Sequence, residues 1–327
     1  MKTLKHLCIL LLITTAAWAQ EKKDYNRMFR LYEDNDFINF TSFDNDQAYT
    51  NGTRFDLFYQ PASRSRSILD SWMPKAGKAS VNTYGYGFMQ TMFTPSRLMT
   101  PDPDPYDFYY SGGLFLTHTQ HSSNREKKYN IQTELLVGVM GPPALAEQTQ
   151  RLIHSIMRYR KPAGWGKQLK TDLLLNLNMI VEKELLAAGD YFQVSGGAQG
   201  FLGTMVNGLA VYSNIRIGRM QPYYNGYIQQ YSGKDGWQLY GTIRPSLAAN
   251  FHNSLVSGGY FSSLPYPAAQ PKDERPYAQH KVLPRLDFSI AAGIRHWGIS
   301  ISQKTTTLVV NGLSDLETGN LSIYYSW

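Results

Sequence analysis

The last eight residues, NLSIYYSW, alternate. Leu321, Ile323, Tyr325 and Trp327 fall on one face of an extended chain, and Asn320, Ser322, Tyr324 and Ser326 fall on the other. The same period of two recurs in TRFDLFY (53–59), GGLFLTH (112–118), AVYSNIRIG (210–218), WQLYGTI (237–243), LDFSIAAGI (286–294) and GISISQKTTTLVV (298–310). Asn51-Gly52, Gly112-Gly113 and SGKDG (232–236) read as turns around such strands. One segment breaks the pattern. In GPPALAEQTQRLIHSIMRYRKPAGWGKQ (141–168), Pro142 and Pro143 suit a helix start, good helix formers run to Tyr159, and Pro162 with Gly164 ends it. Leu145, Leu152 and Ile156 form one stripe of this helix, which is expected to pack, while Gln150 and His154, four apart, form another that is presented elsewhere.

The N-terminus carries Lys2 and Lys5, an apolar run from Leu7 to Ile13 and small residues at Ala17 to Ala19, the pattern of a secretory signal. The run is shorter than the ~20 residues needed to cross a bilayer as a helix. Residues 1–19 are therefore expected to be a signal peptide and 20–327 a single domain. Later in the chain there is no apolar stretch long enough for a membrane helix, yet 13% of residues are aromatic. Half-apolar strands in an exported chain can satisfy their backbone in lipid only by closing on themselves. At about 10 residues per membrane strand, the length allows about a dozen. The expectation is an all-β, transmembrane antiparallel β-barrel of about twelve strands in the bacterial outer membrane, with a short helix in an extracellular loop.

Composition narrows the chemistry. The only cysteine is Cys8, inside the signal, which removes thiol catalysis and cysteine-ligated metal from the rest of the chain. The formal charge of +7 is modest, and no basic cluster with interleaved aromatics argues for nucleic acid. His118 and His121, three apart on a strand, point to opposite faces and make a poor metal pair. His252, His280 and His296 have no acidic neighbour in sequence and read as interfacial or lumenal.

Six short elements stand in order between residues 31 and 170: Asn35-Asp36, Tyr49-Thr50-Asn51-Gly52, Phe93-Thr94-Pro95, Asp107 to Gly112, Gln150 to His154, and Trp165 to Gln168. In that order and spacing the chain resembles the outer-membrane lipid A 3'-O-deacylases. The resemblance implies a twelve-stranded barrel with its site between the barrel wall and the outer loops. It also implies hydrolysis of an ester of lipid A with Ca²⁺ as cofactor, and lipopolysaccharide and the outer membrane as partners of a monomer.

Carried onto this chain, the resemblance makes His154 the general base, a role suited to the side chain that titrates nearest neutral pH. It places Asn35 and Asp36 at the metal as hard oxygen ligands, with Thr50 and Gln150 in support. Two positions depart from the family pattern. A glutamate six residues after the helix histidine is Arg160 here, and a loop lysine is Thr100, with Arg97 the nearest cation for substrate binding. Glu33, Asp34, Asp44 and Asp46 are the nearby acidic residues that could replace the lost carboxylate. Two rivals remain. One is a non-enzymatic barrel, a porin or structural protein, although only 17% of residues are charged. The other is a barrel phospholipase with a Ser-His pair, although no nucleophilic serine motif stands out.

Overall fold

The computed structural model describes residues 25–35, 38, 48–63, 65, 67–102, 104, 107–264, 281–306 and 316–327. The signal-peptide reading, Asp36 and the acidic residues Asp44 and Asp46 lie outside these. Twelve antiparallel strands follow one another around a closed barrel. They are β1 (Arg27–Asn35), β2 (Ala48–Tyr59), β3 (Val81–Thr94), β4 (Ser111–Asn124), β5 (Tyr129–Met140), β6 (Asp172–Ala188), β7 (Phe192–Gly203), β8 (Val206–Arg219), β9 (Gly233–Asn253), β10 (Val282–Arg295), β11 (Trp297–Thr306) and β12 (Leu316–Ser326). Four short helices sit in the connections: α1 (Ile68–Trp72), α2 (Ala146–Met157), α3 (Tyr227–Tyr231) and α4 (Ser254–Ser257). No helix among the described residues is long and apolar enough to cross a membrane.

The alternation read from the sequence decides which side chain meets which medium. β12 closes onto β1, with Leu31 opposite Ile323 and Met28 opposite Ser326. Along β12, Asn320, Ser322, Tyr324 and Ser326 are buried in the lumen. On the outside, Phe55, Phe88, Leu116, Val137, Leu173 and Ile290 are exposed, Leu116 at 66% and Leu173 at 69%. A continuous exposed apolar wall is what a barrel surrounded by lipid requires and what a water-facing sheet avoids. Aromatic side chains gather at the end of the barrel opposite α2, where Tyr325 lies against Trp297 in a tilted pair at 4.8 Å and stacks on Trp327 at 5.8 Å. This is the amphipathic girdle of a membrane boundary.

The lumen is filled with polar side chains. Asp56 lies between Arg30 (2.7 Å) and Arg54 (2.8 Å), and Arg54 continues to Glu134 at 2.6 Å. Helix α3 folds into the end opposite α2, where Tyr227 accepts a hydrogen bond from Arg30 at 2.9 Å and stacks on His121 at 3.6 Å. A cavity of about 350 Å³ remains beside these groups. Unpaired, any of these charges would cost several kcal/mol away from water, so the network is a closed set of partners. It also fills the bore that a porin would leave open.

Two expected turns are instead strand residues, Asn51-Gly52 within β2 and Gly112-Gly113 within β4, whereas SGKDG opens β9 at a register break, Gly233 pairing with Arg295 and Gln238 with Gly293. Glycine marks close approach here as readily as a turn. A Cβ at Gly52 would collide with the hydroxyl of Tyr49, and one at Gly113 would sit 2.7 Å from the ring of Phe115.

Candidate functional site

The site grows from a row of outward-facing positions at the α2 end of β1 to β4. Asn35 pairs with Asn51, Asn51 with Met92, and Met92 with Gly112. With strands ~4.8 Å apart, the row spans about 14 Å. Thr50 is the extra residue of a β-bulge, since Tyr49 pairs with Phe93 and Asn51 with the next residue back, Met92. Bulges re-aim side chains where a regular ladder cannot. Here the hydroxyl of Thr50 meets that of Thr94 at 2.6 Å.

Period-two alternation separates the acidic candidates. Glu33 shares the outer face with Asn35 and accepts from Thr53 Oγ1 at 2.7 Å and from the amide of Asn51. Asp34 points the other way. In the lumen it accepts from Tyr32 (2.6 Å), Lys304 (2.9 Å) and Asn320 (2.9 Å), so it is not a substitute metal ligand on the outer face.

Helix α2 lies over the far end of the row. The chain leaves β5 through Gly141 (φ +81°), makes a single 3-10 turn at Pro142–Ala144 and enters the helix. Ala146 sits directly above Gly112, where any Cβ would collide with its methyl group. Below the helix, Met92, Tyr110, Ala146 and Trp165 form one buried cluster, and Gln90 Nε2 donates to the carbonyl of Ala144 at 2.7 Å. Placing valine at Gly112 is therefore expected to lift α2 off the wall. Limited proteolysis within 141–171 should quicken while the barrel itself resists, a result that checks the seating without reference to activity.

The sequence reading of this helix is overturned in one respect. Leu152 and Ile156 do not pack; they are 60% and 67% exposed, whereas Gln150 is 3% exposed and faces the wall with Ala146. The stripes are inverted because the helix rests on a wall whose surroundings are apolar. Part of its exposed side is then apolar, and the covered side carries Gln150.

Two hydrogen bonds define the covered stripe. Trp165 Nε1 donates to Gln150 Oε1 at 2.7 Å, which leaves the Gln150 amide nitrogen buried without a partner. At the helix end, Arg158 adopts a left-handed conformation (φ +61°), and the N–H of Tyr159 bonds back to the carbonyl of His154 at 2.8 Å. That reversal carries the carbonyl of Arg160 to His154 Nδ1, 2.6 Å away. A carbonyl only accepts, so Nδ1 carries the proton and Nε2 presents its lone pair. Arg160, which stands where the family pattern has a glutamate, thus contributes its backbone here.

The structure brings Asn35, Thr50, Gln150 and His154 to the same outer face and the same end of the barrel. The strand pair and the helix pair are joined through Met92, neighbour of Asn51 in register and of Trp165 in the buried cluster. Arg97 is exposed on the loop after β3. Its neighbour Leu98 packs on the same cluster and accepts from Tyr110 and from the backbone of Ala163 (2.9 Å), which ties that loop to the α2 segment. Trp165 and Thr94 were present in the sequence motifs without a role; only packing shows that one holds Gln150 and the other holds Thr50. His118 and His121 do point to opposite faces, His118 against Asp70 at 2.8 Å and His121 into the lumen. His252 bonds Ser254 and His296 bonds the backbone of Ser326. His280 is outside the described residues.

Among the described residues, the possible ligand atoms at this end of the row are oxygens: the Glu33 carboxylate, the Asn35 and Asn51 amide oxygens and the Thr50 hydroxyl. By type they suit a hard cation such as Ca²⁺. Among the described residues, no three His, Asp or Glu side chains converge as a metal cluster. Among the described residues, a site here would draw mainly on neutral oxygens.

A family model described as "Outer membrane protein LpxR" matches residues 6–327. Among solved structures, LpxR from Salmonella typhimurium is similar at a TM-score of 0.73 and 14% identity, covering 92% of this chain and 100% of that one. The β domain of the Bordetella autotransporter BrkA is similar at a TM-score of 0.46 and 9% identity, covering 93% and 100%. A sequence search of curated proteins finds no match.

Proposed function

Because this chain belongs to the LpxR family of outer-membrane proteins, we propose that it is an outer-membrane lipid A 3'-O-deacylase, a monomer that hydrolyses an ester-linked acyl chain of lipid A. The observation that carries the reading is the half-buried histidine one turn after Gln150 on α2, with Nδ1 fixed as a donor and the Nε2 lone pair of the neutral ring left free of that bond. An ester cut by water needs a base for the water and positive charge or donors for the oxyanion. His154 Nε2 takes the proton from the attacking water and returns it to the leaving sugar oxygen. The Gln150 amide nitrogen, buried and without a partner, supplies a donor to the ester carbonyl as negative charge develops on it. Thr50, held by Thr94, sets the wall of the site beside Asn35. Asn35 and Asp36, with Glu33 on the strand beside them, would hold Ca²⁺, whose charge would favour the developing oxyanion. Arg97, on the outer loop, pairs with a phosphate of the substrate. In this reading α2 lies at the extracellular end, where lipid A resides, and the site opens sideways toward lipid.

The filled lumen argues against the porin alternative, because ion pairs and α3 occupy the bore. The phospholipase alternative is separated by substrate. Purified protein in detergent is expected to release fatty acid from lipid A and none from phosphatidylethanolamine. EDTA is expected to stop the release and added Ca²⁺ to restore it. Release from the phospholipid alone would replace this reading with the phospholipase one, and full activity in EDTA would remove the metal from it.

A further inference from the structure

Helix α2 has three faces. Ala146 and Gln150 meet the barrel wall, and His154, half-buried one turn further on, falls within the same 80° sector at 100° per residue. On one side of that sector lie the exposed Leu152, Ile153 and Ile156; on the other lie Gln148, Arg151 and Ser155, also exposed. A helix held against a water-facing surface has two faces, one covered and one polar. The third, apolar face has no protein partner among the described residues and needs a separate cover.

We infer that α2 is an interfacial helix, with its apolar face docked in the acyl chains of the surrounding leaflet and its polar face at the level of anionic head groups. Two observations select lipid as the occupant. The apolar face continues an apolar surface already present, since α2 joins β5 to β6 and Val137 and Leu173 on those strands are exposed on the same outer wall. The charge is also one-sided. On the helix Arg151 pairs with Glu147 at 2.9 Å, and Arg158, Arg160 and Lys161 follow at its C-terminal end, with Glu147 the one carboxylate between 141 and 171. An amphipathic helix with an apolar stripe and a cluster of cations at its end binds at the head-group boundary of anionic lipid, buried about 5–10 Å deep. Docked in this way, the helix holds its wall-facing stripe at the depth where acyl chains meet head groups. The inference needs only that the barrel sits in a membrane and holds whichever lipid the site acts on.

Site-directed fluorescence tests it. The chain has no cysteine beyond Cys8, so single cysteines placed at Leu152, Ile156, Gln148 and Ser155 in protein lacking residues 1–19 each carry one bimane label. The labelled proteins are reconstituted into phosphatidylcholine vesicles with and without bromine on the acyl chains. Folded barrel is confirmed by its mobility on unheated gels, and all four positions are exposed, so packing is not disturbed. Bromine should quench the label at 152 and 156 at least about twofold more than at 148 and 155. Equal quenching at all four positions, whether weak or strong, would overturn the inference, weak quenching by placing the helix in water and strong by placing it wholly in hydrocarbon.

Discussion

Alanine at His154 is expected to lower kcat by roughly 10²–10⁴-fold while the barrel stays folded, because the side chain is a base and not a packing element. The hydrogen bond lost is that from Nδ1 to the carbonyl of Arg160, just past the capped C-terminal end of α2. The useful comparison is glutamine at the same position. It can replace the donor to Arg160 and so preserve the turn, but it has no basic nitrogen. If His154 only closes the turn, glutamine should recover most of the rate. If it takes the proton from water, glutamine should be as slow as alanine, with substrate KM little changed in both. The assay is initial-rate release of fatty acid from lipid A, with folding followed by gel mobility.

Trp165 is expected to matter nearly as much without touching substrate. Its ring is fully buried among Met92, Tyr110 and Ala146, and its Nε1–H holds Gln150. Alanine there should cost about 3–5 kcal/mol of local packing, enough to detach the α2 segment from the wall. Phenylalanine keeps most of the ring and removes the donor. It leaves both polar atoms of Gln150 buried without partners, a cost of about 1–3 kcal/mol. The expected signature is graded. Phenylalanine lowers kcat and leaves protease resistance of 141–171 near wild type, whereas alanine lowers both. Equal kcat for wild type and the phenylalanine variant would show that Gln150 is held by the shape of its pocket and not by this bond.

The barrel was legible because its signal is local. Alternation in NLSIYYSW or LDFSIAAGI already states which side chains face apolar surroundings, and the register only confirms it. The site was legible less evenly. Asn35 and Asn51 meet through strand pairing, which no single segment encodes. Neighbouring Glu33 and Asp34 look equivalent as ligands until the pleat sends one outward and the other to Lys304. Asn51-Gly52 and Gly112-Gly113 were read as turns because a glycine needed for close approach carries the same letter as one needed for a reversal. On α2 the two stripes were found and their directions were exchanged. The pattern of a helix gives its faces, while the medium on each side decides which face is covered. The tie from Trp165 to Gln150 spans a loop, so only the folded chain shows it.

The central claim is that a water-activating histidine on the outer wall cuts an ester of lipid A, and mass spectrometry of lipid A tests it most directly. Lipid A is incubated with purified wild-type protein and with the His154→Ala variant, both verified as folded barrels, in the presence of Ca²⁺. The account predicts that the wild type removes the mass of one ester-linked acyl group and the variant none. Unchanged lipid A with folded wild-type protein, or the same loss with the alanine variant, would contradict it.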